Sequence, residues 1–213
     1  MTLANGYEIT TAATNVFNAV VTAILMWEMV HFTKPEQRRI CWGIVYGLFF
    51  AVCIFGAAIH GIAMEQAQKS YLWHYLFALL SFMLASFVTA LVYETDGFSS
   101  AKRTAAVTCV IALLFSVLRF VFPARIKFVQ FSIYAVLLLL YAIVKLISAR
   151  KEKPYLNYFL LGIFFLVAGS VLQNIKSLKF HIILDFDYNS IYHIFTLFLI
   201  LCVHKGLKSS QQA

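Results

Sequence analysis

Seven blocks of about twenty apolar residues, parted by short polar or basic stretches, leave this chain few ways to fold. They run Thr11–Phe32, Ile40–Ile62, Tyr71–Tyr93, Thr104–Phe122, Phe128–Ser148, Tyr155–Gln173 and Asn189–Lys205. Each is long enough as a helix to cross a hydrocarbon layer of about 30 Å. The short segments of alternating polarity that a transmembrane barrel needs are missing. The expected fold is all-α: a polytopic membrane protein, a seven-transmembrane-helix bundle filling residues 1–213 as one domain. Most connections are short, which makes consecutive helices antiparallel neighbours. Only Asn174–Tyr188 is long enough to hold structure of its own.

Composition agrees with this expectation. Hydrophobic residues make up 62% and charged residues 12%, against about 25% charged in an ordinary soluble domain. The formal charge of +8 does not imply nucleic acid, because basic residues of a membrane protein collect in loops and set orientation. Of the 17 Lys and Arg, eleven fall at ends sharing a side with the C-terminus, among them Lys34, Arg38 and Lys153. Six fall on the other side, among them Lys69, Lys127 and Lys176. That bias predicts an outside N-terminus and a cytoplasmic C-terminus. The opening MTLANGYEITTAATN has no basic n-region before an apolar core, so no signal peptide is expected. Cys41, Cys53, Cys109 and Cys202 lie in apolar blocks without CxxC spacing and are expected to pack as small hydrophobes. Pro35, Pro123 and Pro154 sit in connections, so no span has the interruption typical of a transporter's broken helices. Lys205 lies at the inner end of the last span, which leaves no mid-membrane lysine for a retinal.

The histidines fall in layers. His60, His74 and His193 lie near the outer ends of the second, third and seventh blocks. His31 and His204 lie near inner ends, and His181 is in the long outer connection. His193 and His204 share a helix face but stand roughly 16 Å apart along the axis, too far to bind one ion. The outer layer can also draw on Asn15, Asn18, Glu65, Gln173, Asn174, Asp185, Asp187 and Asn189. Ionisable groups at such depth are costly and are functional candidates. Three imidazoles and a water would make a catalytic zinc site, so His60, His74 and His193 are the candidate ligands. Glu65 or Asp187 is the candidate general base. Plainer roles are open as well: His74, between Trp73 and Tyr75, suits an interfacial aromatic belt. Asn189 suits a helix N-cap. Glu28, His31, Lys34 and Lys205 suit snorkelling ion pairs at the inner boundary, and Arg119 snorkels likewise at the outer end of the fourth block.

These positions together resemble the CREST superfamily, seven-helix membrane proteins that include alkaline ceramidases and the progestin and adipoQ receptors. The pattern there is Ser-x3-His in helix two, an Asp near helix three and His-x3-His in helix seven. Here "GAAIH" puts Gly56 at the serine and His60 at the histidine, and "NSIYH" puts Asn189 and His193 at the final pair. No carboxylate stands at the aspartate position, where His74 in "LWHYLF" is the nearest polar residue. "EITTAATN" is similar to the helix-one entry of bacterial members, with Asn15 as its polar residue, which implies a bacterial inner membrane. The resemblance implies a zinc-dependent hydrolase acting on a lipid amide or ester, with Asn15, Gln173, Asn174 and Asn189 as a supporting polar layer. The substitutions of Gly for Ser and Asn for His point instead to a non-enzymatic protein: a lipid or small-molecule receptor, or a subunit of a membrane complex, its histidine layer structural.

Overall fold

The computed structural model describes residues 6–123, 125 and 128–212; the expectations for Met1–Asn5 and Lys127 lie outside them. The described chain forms α1 Gly6–Phe32, α2 Glu36–Gly61, α3 Gln66–Asp96, α4 Phe98–Val121, α5 Phe128–Ala149, α6 Leu156–Gln173 and α7 Tyr188–Ser210. Two short strands, β1 Lys179–His181 and β2 Asp185–Asp187, pair antiparallel in the long connection, where Phe180 stacks on Phe186. All seven helices are long and apolar enough to cross a membrane.

Each apolar block is a helix, but several helices outrun their blocks. α3 begins at Gln66 and ends at Asp96, and α7 continues to Ser210. Apolarity marks only the part of a helix that avoids water, whereas capping and turn geometry decide where it stops. Glu65 caps α3 in a reciprocal box with Gln68. At the other end Gly97, with φ +83°, takes the backbone through the left-handed region and alone joins α3 to α4.

α1 packs against α2 and α7, α3 against α2, α4 and α5, and α6 against α5 and α7. α3 is the most enclosed, with 61% of its apolar window buried, against 17% for α4 and for α5. The last two therefore present broad apolar faces outward, including Val107, Val129, Leu137 and Val144. The core runs through Trp42, Tyr46, Leu91, Leu146 and Phe159, with Trp42 stacked on Phe159 at 5.3 Å. α6 and α7 approach closely at Gly169, where an added Cβ would stand 2.6 Å from that of Phe195. All four cysteines are unpaired; Cys53 is buried as expected, but Cys109 is exposed on α4.

Polar pairs tie the helix ends together. Glu8 meets His60, which joins the start of α1 to the end of α2. Arg38 meets Glu94, which joins the start of α2 to the end of α3, and Lys145 meets Asp96 beside it. The bundle thus has a Glu8 end and a Glu94 end. Glu28 departs from expectation: it pairs with Lys208 at 2.6 Å and His204 at 3.1 Å rather than with His31. α7 runs parallel to α1 and brings both partners within reach, while His31 donates to the Trp27 carbonyl one turn back. His204 gives its Nε2 proton to Glu28, so its Nδ1 accepts from the buried Tyr46 hydroxyl at 3.3 Å.

Candidate functional site

Glu8, Thr11, Asn15, Asn18 and Thr22 recur every three or four residues and so line one stripe of α1. Thr11, Asn15, Asn18 and Thr22 are buried, at no more than 1% exposure. Burying such groups is unfavourable unless each finds a hydrogen-bond partner. α7 and its preceding residue Asp187 supply most of those partners; Thr22 Oγ1 has none among the described residues.

His60, on the last turn of α2, donates from Nδ1 to Glu8 Oε2 at 2.6 Å. Lys69 reaches the other carboxylate oxygen at 3.4 Å. A carboxylate only accepts, so the His60 ring carries a proton on Nδ1, and among the described residues Nε2 has no hydrogen-bond partner. Trp73 holds the ring edge-on, centroids 5.8 Å apart.

His193 is fixed by a second argument of the same kind. Asn15 Nδ2 donates one proton to the Thr11 carbonyl at 3.0 Å and the other to His193 Nε2 at 2.9 Å. His193 therefore accepts at Nε2 and carries its proton on Nδ1. Asn18 donates to the His193 carbonyl and to Thr196 Oγ1. Gly56 lies against the same amide: an added Cβ there would meet Asn15 Oδ1 at 2.9 Å.

Asp187 is the N-cap of α7. Its carboxylate accepts from the Asn189 and Ser190 backbone amides, from the Ser190 hydroxyl and from Thr11. These donors all converge on Oδ1 and make the buried carboxylate a structural clamp between α1 and α7, while Oδ2 meets the Asn189 side-chain amide at 3.5 Å. Glu65 is exposed and occupied as the α3 cap.

The three candidate ligands divide. His60 and His193 both border the α1 stripe. His74 is buried elsewhere, its Nδ1 donating to the Ser70 carbonyl at 2.6 Å and its ring packed near Tyr71 and Phe120 of α4. Asn189 turns to Gln173, which donates to it at 3.2 Å, and Asn174 caps back onto the Ser170 carbonyl. Among the described residues no three His, Cys, Asp or Glu side chains gather where a metal ion would be held. The donor set does not fit the expected three-histidine zinc centre: His74 faces another helix, and the acceptor nitrogen of His193 is taken by Asn15.

Beside the stripe a cleft of about 350 Å³ opens at the Glu8 end, lined by Tyr7, Glu8, Lys176, Lys179, Asp187 and Tyr188. Lys176 lies 4.0 Å over the Tyr188 ring and Lys179 lies 5.1 Å from that of Tyr7. Both lysines thus stand at the rim, near the two carboxylates.

Sequence reasoning found His60, His193, Asn15 and Asn18 but missed Glu8 and Thr11 as members of the site. Their signal was there: a polar residue every three or four positions along a helix otherwise rich in apolar residues. Glu8 fell outside the block drawn from Thr11, because apolarity defined its edge.

Residues 10–212 match the profile of a family described as a family of unknown function, DUF6962. The chain belongs to DUF6962. Comparison with curated proteins and with solved structures returned no match.

Proposed function

We propose that this DUF6962 chain is an integral membrane protein that binds a lipid or small amphiphile without turning it over, taking the polar head at the Glu8-end cleft. Seven helices with apolar faces turned outward on α4 and α5 support insertion. The bias of basic residues supports a cytoplasmic Glu94 end, and the resemblance of EITTAATN to the helix-one entry of bacterial CREST members supports a bacterial inner membrane. One observation carries the binding role: the cleft pairs two rim lysines with two carboxylates beside a polar layer whose own groups are largely satisfied internally. Lys176 and Lys179 suit the anionic part of a head group. The apolar chain would lie along exposed helix faces. Purified protein should retain an amphiphile detectable by mass spectrometry. Lys176→Ala with Lys179→Ala should weaken retention by about tenfold or more. Unchanged retention in the double variant would sink the cleft as the binding site.

The Glu8–His60 bond supports a second reading, hydrolysis of a lipid amide or ester. A carboxylate on Nδ1 orients the imidazole and leaves Nε2 to accept a proton from water. The hydroxide so formed would add to the carbonyl carbon. The C–N or C–O bond would then break as the proton passes to the leaving group. Product release from an amide or ester lipid, abolished in His60→Ala, would select this reading over simple binding.

A further inference from the structure

The opposite end of the bundle holds a charged cluster that neither function above uses. Arg38, on the first turn of α2, is 5% exposed and Glu94, on the last turn of α3, 3% exposed. Arg38 donates from Nε and Nη2 to the two carboxylate oxygens, each at 2.6 Å. Trp42 Nε1 adds a bond to one oxygen at 2.9 Å, and the Tyr155 hydroxyl one to the other at 3.2 Å. Both oxygens of Glu94 are thus saturated. Lys153 spends two of its three protons on the Glu94 and Thr95 carbonyls, at 2.7 and 3.0 Å, closing the α3 C-terminus.

A cleft of about 410 Å³ opens over this cluster, lined by Lys34, Arg38, Glu94, Lys153, Tyr155 and Gln211 among others. The side chains along it carry three positive charges, from Lys34, Arg38 and Lys153, against the one carboxylate. Among the charged groups, the unspent hydrogen-bonding capacity is all of one kind, beside the neutral hydroxyls of Tyr93 and Ser210 and the Gln211 amide. Lys34 Nζ, Arg38 Nη1 and the third proton of Lys153 have no protein partner among the described residues, and each is a donor. Glu94, the one anionic acceptor, is fully engaged. A buried, rigid Arg–Glu platform is costly to assemble, and here it holds a guanidinium against the cleft wall.

We infer that this cleft binds a phosphate group, as a phosphate monoester or a phosphorylated lipid head group. Three cationic donors from α2 and two connections surround a space with no free anionic acceptor, which suits a doubly charged anion presenting only oxygens. Carboxylate ligands offer fewer acceptor sites to the three donors. The site lies at the end away from the amphiphile cleft, so its test is independent of that proposal.

The test is thermal unfolding of the full chain in detergent, with added inorganic phosphate against chloride at equal ionic strength. The same chain is then compared in nanodiscs of phosphatidylcholine alone and with added phosphatidic acid. Lys34→Ala is the informative variant, because the Lys34 side chain holds no other element in place. Exposed Lys151→Ala controls for loss of charge at the same end. A saturable rise in melting temperature with inorganic phosphate, its midpoint shifted by about tenfold in Lys34→Ala but not in Lys151→Ala, is the expected result. Stabilisation by phosphatidic acid alone, lost in Lys34→Ala, would support the lipid source of the same group. No saturable effect from either probe, or equal effects in the two variants, would overturn the inference.

Discussion

His60 Nδ1 donates to the carboxylate of Glu8 at 2.6 Å, a contact that spans 52 positions of sequence and ties the first turn of α1 to the last turn of α2. It also fixes a proton on Nδ1 of His60. Replacing Glu8 by Gln substitutes a neutral acceptor and should destabilise the fold by about 1–2 kcal/mol. Lys69→Ala should have less effect, its contact being longer at 3.4 Å. Chemical unfolding of the two variants in detergent checks the order. A larger loss for Lys69→Ala would contradict it.

Gly56 has no room for a side chain. A Cβ there presses on Asn15 Oδ1 at 2.9 Å, and Asn15 is held by two hydrogen bonds of its own. Gly56→Ser should therefore cost about 1–3 kcal/mol and disturb the His193 ring. Nitrogen NMR of the labelled imidazoles reads the second effect directly. An unshifted His193 resonance would mean that Asn15 relaxes without cost.

Arg38 and Glu94 should prove strongly coupled. Arg38→Ala strands a buried carboxylate and is expected to lose about 3–5 kcal/mol, as is Glu94→Ala. The double variant should lose less than the sum of the two, with a coupling of at least about 1 kcal/mol. Additive losses in that cycle would remove the pair as an energetic unit.

Asp187→Ala removes the N-cap of α7 and its link to Thr11 together. A cap alone contributes about 0.5–2 kcal/mol; with the interhelical bond, the loss should lie at the upper end of that range. Thr11→Val, which removes only the link, should cost less. Equal losses would show that the cap itself contributes nothing.

Zinc content distinguishes the histidine layer from a metal centre. With His74 turned toward Phe120 and His193 Nε2 bonded to Asn15, purified protein should carry well below one zinc per chain. Elemental analysis beside a His193→Ala variant measures it. Stoichiometric zinc, lost in the variant, would reinstate the hydrolase expectation.

Much of the architecture was legible in the residues because burial in an apolar setting forces each backbone to satisfy itself, and long apolar runs do so as helices. The number of helices, their order, and the structured connection near Lys179 all follow from that constraint. His60 and His193 were legible as partners of one polar layer, since polar groups within apolar runs must find company at their own depth. Other features depended on facts that no single segment carries. His74 shares the depth of His60, yet helix rotation turns it toward α4. Asp187 was read as a base; only the tertiary structure shows that the start of α7 and the stripe on α1 converge on its Oδ1 and make it the α7 N-cap. Arg38 and Glu94 sit at block edges where hydropathy sees only loops, and their pairing exists because α2 and α3 are antiparallel. Sequence alone determined which segments are helical and which depths are polar; helix rotation and neighbour choice, set by close packing at residues such as Gly56 and Gly169, decided which polar groups meet.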